Sequence, residues 1–270
     1  MPEAPEVEAV ARALRPLAHG QTIRRVRVIH PIAVKPQTPA ALAKFLRGNR
    51  IEEVTRIGKY LVLRLARGVL SFHFKFDGQI LLFDSAVPGG VHVDVLLTLD
   101  KVTLGFVDPR HLGRMNWHES VADTPSLNKL GVDIFSGEFT LAALASILED
   151  SRLEVKLLLT DQSKIAGLGN IYSSEALWHA RLNPRRRANG LSPVEMRRLH
   201  KAIVSTAHRA LECCSHPPPD FRNPEWWFSD LTPMLRVYGR EGKRCFRSDG
   251  IIKRIQQGGR SSFFCPRCQR

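Results

Sequence analysis

The chain has 270 residues, 43% of them hydrophobic, which suits one large or two ordinary globular domains. Its 40 basic residues outnumber 26 acidic ones, and the resulting +14 points to a polyanionic partner, most often nucleic acid, over a merely solvated basic surface. No apolar run approaches the ~20 residues that span a bilayer, no basic amphipathic anchor stands out, the acidic start lacks a signal peptide's apolar segment, and five cysteines argue for a reducing compartment over a disulfide framework.

The first six residues read Met1-Pro2-Glu3-Ala4-Pro5-Glu6. If Met1 is removed, Pro2 becomes a secondary amine at the terminus. An α-amino group has a pKa of roughly 7.7–8.0, so part of it is neutral near pH 7 and nucleophilic. Attack on a sugar C1′ gives an iminium ion. Glu3 stands beside that amine and Glu6 one turn on, able to supply an acid, a base or charge stabilisation. Taken alone, the six residues fit an ordinary helix start better, with Pro in the first turn and acids at the positive end of the dipole.

A helix is predicted over 5–19, with Val7, Val10, Leu14 and Leu17 on one face, Gly20 as its stop, and Pro16 placed to end it early. Strands follow at Ile23 to Ile29, Tyr60 to Leu65, Val69 to Phe74 and Ile80 to Phe83, with a short helix near Pro39 to Leu46. Residues 91–99 alternate, with Val91, Val93, Val95, Leu97 and Leu99 on one face. These strands, spaced by Gly, Asp and Asn turns, indicate an antiparallel sandwich or barrel. Around Thr124 to Phe139 the alternation stops and Pro125, Gly131 and Gly137 punctuate the chain. Helices follow at Leu141 to Glu149, Glu154 to Leu159, Ile171 to Ala180, and from Ser192 to about Cys213. Ser192, Pro193 and Glu195 form a capping box on the last. A Pro- and Trp-rich loop runs from His216 to Pro233, and a short β-hairpin is expected from Val237. The expected organisation is a β-sandwich domain with its leading helix over 1–124, a linker over 125–139, a helical domain over 140–236 and the terminal hairpin over 237–270. The fold class is α+β.

Lys164 to Tyr172 joins two helices. Gly167 and Gly169 let backbone approach a ligand, the next helix offers free N–H groups to a phosphate, and Asn170 can cap that helix. A plain interhelical turn explains the segment alone more simply, although Arg185-Arg186-Arg187 nearby favours phosphate. The C-terminal spacing is Cys245-x2-Ser248-x16-Cys265-x2-Cys268, a zinc-ribbon pattern with serine in the second position. Three sulfurs can bind zinc with water or Asp249 completing a tetrahedron. Alternatively, packing of Phe246, Phe263 and Phe264 holds a metal-free hairpin. The sequence leaves both open. Cys213-Cys214 reads as core.

With these motifs in order, the chain resembles the formamidopyrimidine-DNA glycosylase / endonuclease VIII family of base-excision repair enzymes. The resemblance runs end to end. It rests on the opening hexapeptide and Gly58-Lys59-Tyr60-Leu61, then His73-x3-Asp77-Gly78, His92-x-Asp94 and Asp108-Pro109-Arg110-His111-Leu112-Gly113. Lys164 to Tyr172, Val237-Tyr238-Gly239-Arg240-x-Gly242 and Gly259 to Cys265 complete it. The order and spacing together are specific where each motif is weak.

The resemblance implies a bifunctional DNA glycosylase/AP lyase acting on double-stranded DNA with a damaged base or abasic site. Its fold would be an N-terminal helix and antiparallel β-sandwich, then a helix–two-turn–helix domain ending in a zinc-finger-like hairpin. Pro2 would attack C1′, Glu3 assist proton transfer and ring opening, Glu6 support the site, and Lys59 bind phosphate and aid elimination. Asn170 and Arg260 would grip phosphates flanking the flipped nucleotide, with Lys156 a weaker candidate and His73 also on the DNA. Phe76, Arg110 and Leu112 would fill the void left by the damaged base. Cys245, Cys265 and Cys268 would be an incomplete zinc set. The chemistry requires no redox cofactor or Mg, and the protein is expected to be monomeric, cytoplasmic and nucleoid-associated. Phe76 stands where one branch commonly has Met, with Lys75 before it, and Leu112 where that branch often has Phe. Pro217-Pro218-Pro219-Asp220-Phe221 and Trp226-Trp227 replace a Gly/Ser/Thr run before the finger. These departures leave base preference open among oxidised or ring-opened bases, oxidised pyrimidines and bulky alkylated bases. A non-catalytic damage-binding protein is the rival class; intact Pro2, Glu3 and Lys59 argue against it.

Overall fold

The computed structural model describes residues 2–84, 87, 89–223 and 231–270. The chain divides into two compact units, Met1–Asn128 with Cys214–Ser229, and Lys129–Cys213 with Asp230–Arg270.

The first unit opens with α1 (Ala4–Ala18), followed by β1 (Arg25–Val28), α2 (Pro39–Leu46), β2 (Ile51–Ile57), β3 (Tyr60–Leu65) and β4 (Val69–His73). It continues with β5 (Gln79–Phe83), β6 (Val93–Thr98), β7 (Thr103–Val107) and β8 (Arg114–His118). Two four-stranded antiparallel sheets result, in the orders β1-β6-β7-β5 and β2-β3-β4-β8. Their apolar faces share one core. Val7, Val10 and Leu14 of α1 join Leu61, Leu63, Leu70 and Phe72 from one sheet and Ile80, Val95, Leu97 and Phe106 from the other. Phe221 enters the same core, and its carbonyl accepts from the Leu82 amide at 2.8 Å. Nearby, Arg222 pairs with Asp84 at 2.8 Å.

Helix α1 runs through Pro16 instead of ending there. Pro16 is exposed, so water can reach the carbonyl that its missing N–H leaves unbonded. Leu17 is exposed as well, and Ala18 takes its place on the buried stripe one i+4 step from Leu14. The expected alternation over 91–99 is broken. Strand β6 begins at Val93, which pairs with Val107, while Val95 pairs with Phe106, leaving Asp94 as the extra residue of a bulge. Val93 accordingly packs with Leu81, Phe83 and Val107, whereas Val95, Leu97 and Leu99 join the main core.

The second unit contains β9 (Val132–Asp133), α3 (Leu141–Glu149), α4 (Val155–Leu159), β10 (Ile165–Ala166), α5 (Asn170–His179) and most of α6 (Pro193–Ser215). It ends in the antiparallel hairpin of β11 (Lys253–Gln257) and β12 (Arg260–Phe264). The capping box forms at α6, where the Ser192 amide donates to Glu195 Oε2 at 2.8 Å. The hairpin is shorter than the stretch from Val237 suggests, because residues 237–252 are turns apart from a single Arg244–Ile251 bridge. Buried Glu175 of α5 explains how that irregular stretch is held. Its carboxylate accepts from the amides of Arg236, Val237 and Tyr238 at 2.7, 2.9 and 2.8 Å. Burial pushes this carboxyl's pKa up, and the three amides partly oppose it.

Candidate functional site

The start of α1 is built from its own acids. Glu3 is the N-cap and forms a capping box with Glu6, whose Oε2 accepts from the Glu3 amide at 3.0 Å. Pro2 is buried, and Glu3 and Glu6 are only 1% and 3% exposed. Lys59 is 7% exposed. It is the second residue of the two-residue β2–β3 turn, where Gly58 has φ +58, the left-handed first position such a hairpin favours. Arg56 ties this turn to α1: Nη1 donates to the Gly58 carbonyl at 2.7 Å and Nε to Glu8 Oε2 at 3.1 Å. Arg56 had no motif to mark it; only its place two residues before the Gly-Lys turn could have singled it out.

Tyr60 and His73 are paired across β3 and β4, with ring centroids 4.6 Å apart and nearly edge-on. His73 Nδ1 accepts from the Lys75 amide at 3.1 Å. Burial, then Lys75 and Lys59, bring its pKa down to about 3, so the ring is neutral at physiological pH. In the second unit burial and then Arg209, Arg247 and Arg236 bring His179 down to about 4. Both folded values lie below the unfolded value of about 6.5. The unfolded chain therefore binds more protons between those limits, and stability must rise with pH there. We expect the urea midpoint to fall from pH 7 to pH 5, and His73→Gln to flatten that fall. An unchanged slope in the variant would show that His73 titrates normally.

Phe76 and Leu112, expected in loops, are 46% and 41% exposed, well outside the core. The Arg110 guanidinium lies over the Phe76 ring, 4.9 Å from its centroid, and pairs with Asp77. Buried Asp108, which the motif contained without a role, organises the loop. Its two carboxylate oxygens accept from the amides of Arg110 and Gly113 at 3.0 and 2.6 Å. Arg114 Nη1 collects the carbonyls of His111, Leu112 and Gly113. The braced loop thus presents a cation and an aliphatic tip, and the separate β4–β5 turn presents the Phe76 ring against that cation.

In the second unit Lys156, Asn170 and Arg260 line one cleft of about 210 Å³ with Thr160, Asp161 and Gly258. Asn170 does not cap α5. Gly169 is the N-cap, and Asn170 occupies the first helical position. Its amide is committed at both ends: Lys156 Nζ donates to Oδ1, and Nδ2 donates to the Ser261 carbonyl at 2.9 Å. Gly258 and Gly259 form the two-residue turn before Arg260 with φ +55 and +74, the pair of left-handed residues a I′ turn requires. A Cβ on Gly258 would meet Leu157 at 2.8 Å. A helix N-terminus, an amide, a lysine and an arginine together make an anion-binding corner.

The thiols of Cys245, Cys265 and Cys268 lie within 4.8 Å of one another. The sulfurs of Cys245 and Cys268 are 3.8 Å apart, and Ser248 Oγ is 3.4 Å from Cys265 Sγ. Tetrahedral zinc with Zn–S bonds of ~2.3 Å sets sulfurs ~3.8 Å apart, and an oxygen ligand at ~2.0 Å would sit ~3.5 Å from a sulfur. The serine hydroxyl is thus as far from Cys265 as a fourth, oxygen ligand would be. Asp249, the sequence alternative, instead pairs with Arg267 at 2.6 Å. Phe246 is likewise not hairpin core: it is exposed, beneath the guanidinium groups of Arg236 and Arg240. Burial raises the Cys245 thiol, but the Arg247 amide, the Trp178 indole, Cys265 and Ser248 outweigh it and bring it down to about 7. Burial and the sulfurs of Cys265 and Cys245 push Cys268 up to about 12. Three neighbouring thiols cannot all ionise alone, so the donor set fits a divalent cation that neutralises them.

Comparison with known proteins accounts for these parts. The formamidopyrimidine-DNA glycosylase N-terminal domain matches residues 1–115, the H2TH domain of the same enzyme matches 130–216, and the zinc finger found in FPG and IleRS matches 249–270. These are the modules of a DNA glycosylase with AP-lyase activity. The formamidopyrimidine-DNA glycosylase of Aromatoleum aromaticum is 35% identical over all of both chains, and that of an Exiguobacterium species is 34% identical over 100% of this chain and 99% of its own. A crystal structure of the wild-type Lactococcus lactis FPG in complex with DNA containing an oxidised pyrimidine superposes with a TM-score of 0.89, at 28% identity over the whole of both chains. A complex of the Lactococcus lactis protein with abasic-site DNA gives 0.88, at 28% identity over 99% of each. The chain belongs to the formamidopyrimidine-DNA glycosylase family. Met1, Trp226 and Trp227, singled out in the sequence, lie outside the described residues. Among the described residues no helix is long and apolar enough to cross a membrane.

Proposed function

We propose that this enzyme excises an oxidised or ring-opened base from double-stranded DNA and then cuts the strand through an iminium on Pro2. The observation that carries the reading is the burial of Glu3, Glu6 and Lys59 together with Pro2 at the chain start and the adjoining Gly-Lys turn, since charged side chains are seldom fully buried. The neutral Pro2 nitrogen attacks C1′ and the base departs, taking a proton from water. Glu3 accepts the N–H proton of the resulting ammonium and delivers it to the ring oxygen as the C1′–O bond breaks, leaving a Pro2–C1′ iminium. That cation acidifies the C2′ proton, whose removal expels the 3′ phosphate by β-elimination. A second, δ-elimination expels the 5′ phosphate. Glu6 holds the Glu3 amide and so orients the first turn. Lys59 binds the phosphate beside the lesion, and neutral His73 stands beside it without adding charge. The work divides between a catalytic segment over 1–124, a helical DNA-binding segment over 140–236 and the hairpin over 237–270. Zinc held by Cys245, Cys265 and Cys268, beside the Ser248 hydroxyl, reinforces a hairpin that its own packing retains. Borohydride reduction with abasic-site DNA tests the reading. It should give a covalent adduct at the N-terminal residue, and a chain that gives none is a binding protein only.

Arg260 and Asn170 hold backbone phosphates, which carry little base information. Arg260→Ala should weaken binding similarly for every lesion and lower the slope of log affinity against log salt by roughly one counterion. Phe76→Ala removes a stacking wedge and no charge, so turnover should fall at constant slope. Titrations at several salt concentrations with an abasic-site analogue separate the two. An unchanged slope for Arg260→Ala, or an altered one for Phe76→Ala, would contradict these placements.

A further inference from the structure

The bulge in β6 points a carboxylate inward that the glycosylase chemistry does not use. Asp94 is fully buried, and its Oδ2 has no hydrogen-bond partner among the described residues. Its Oδ1 lies 2.5 Å from His111 Nδ1. The His30 ring lies against the His111 ring, centroids 4.1 Å apart and planes tilted by 35°, and the His30 amide donates to the Asp94 carbonyl at 3.1 Å. One ligand atom each from His30, Asp94 and His111 lies within 4.8 Å of the other two. His111 has φ +54, an uncommon left-handed conformation, and the Asp94 contact is among those that hold it. Burying a carboxylate with one oxygen unpaired is costly, and bulges recur where a side chain must be re-aimed.

We propose that His30, Asp94 and His111 form a second metal site, for a divalent transition ion of the zinc class, that pins the loop carrying Arg110 and Leu112. Two imidazoles and a carboxylate are the donors of three-ligand zinc sites that keep a fourth position for water. The ion takes the place of the proton between His111 and Asp94, the neutral imidazole carrying its one proton on Nε2, and the pair widens to the ~3.4 Å edge of a tetrahedron with ~2.1 Å bonds. His111 lies between Arg110 and Leu112, so fixing its ring fixes the backbone of both. The site contains no sulfur, which separates it from the cysteine centre.

Cobalt titration of the full, metal-stripped chain tests this. The wild type should bind one equivalent with a thiolate charge-transfer band and a second with ligand-field bands alone. His30→Gln and His111→Asn should each weaken the second equivalent at least about tenfold and leave the thiolate band intact. In the unmodified chain, zinc should protect His30 and His111 from diethyl pyrocarbonate, a readout independent of any variant's folding. A wild type that binds cobalt through sulfur only, variants that keep the second equivalent, or histidines that zinc leaves unprotected would each overturn the site.

Discussion

A chain that retains Met1 should yield no borohydride-trapped adduct, and Pro2→Gly should lower strand cleavage by at least roughly 100-fold. The two variants fail for different reasons. Retained Met1 converts the Pro2 nitrogen into a tertiary amide, whose lone pair is delocalised and cannot attack C1′. Glycine keeps an amine but a primary one. Its imine is cationic only when protonated, whereas the iminium of a secondary amine has no N–H to lose and draws electrons from C2′ at any pH. Glycine also removes the ring that restricts the residue before Glu3, loosening the buried corner where Glu3 and Glu6 cap α1. Undiminished trapping with Met1 retained would sink the assignment and leave Lys59 as the next amine. Mapping the reduced adduct by peptide mass distinguishes the two nitrogens.

Local chemistry made much of this legible from sequence. The α6 capping box, the buried stripe of α1 through Leu14, the exposed Phe76 and Leu112 and the three clustered thiols all depend on neighbours within a few residues or on spacing. What escaped was decided by distant partners. Strand β2 does not alternate, because a register shift between Ile51 and Glu53 leaves Glu52 and Glu53 both exposed, and Arg56, on the face of Val54, turns toward Glu8 of α1. Asp94 interrupts an apparently clean alternation, since a bulge depends on the facing strand β7 and leaves no period of its own. Asn170 reads as a cap because its side chain can cap; Lys156 and the Ser261 carbonyl take it instead. Phe246 reads as hairpin core by its hydrophobicity, but Arg236 and Arg240 lie against its ring and hold it at the surface.

Ser248→Cys should make the hairpin hold zinc far more tightly than the natural chain does. The neutral serine hydroxyl beside Cys265 adds no charge to the three thiols, so the natural site lacks one of the four anionic donors of a closed structural centre. A thiolate there completes it with little rearrangement, because the side chain is already placed: Ser248 Oγ accepts from the Gly250 amide at 3.3 Å and lies against Cys265. Chelator-driven release followed with a metal-binding dye should be slower in the variant by on the order of 10–100-fold or more. DNA binding by the natural chain should survive the same chelation. The Gly258-Gly259 turn, the β11–β12 pairing and the packing of Trp178, Val237 and Ile252 retain the hairpin and Arg260 without the metal. Equal release rates in the two chains would mean that Ser248 is not at the metal. Loss of DNA binding on chelation would mean that the metal, and not this packing, keeps Arg260 in position.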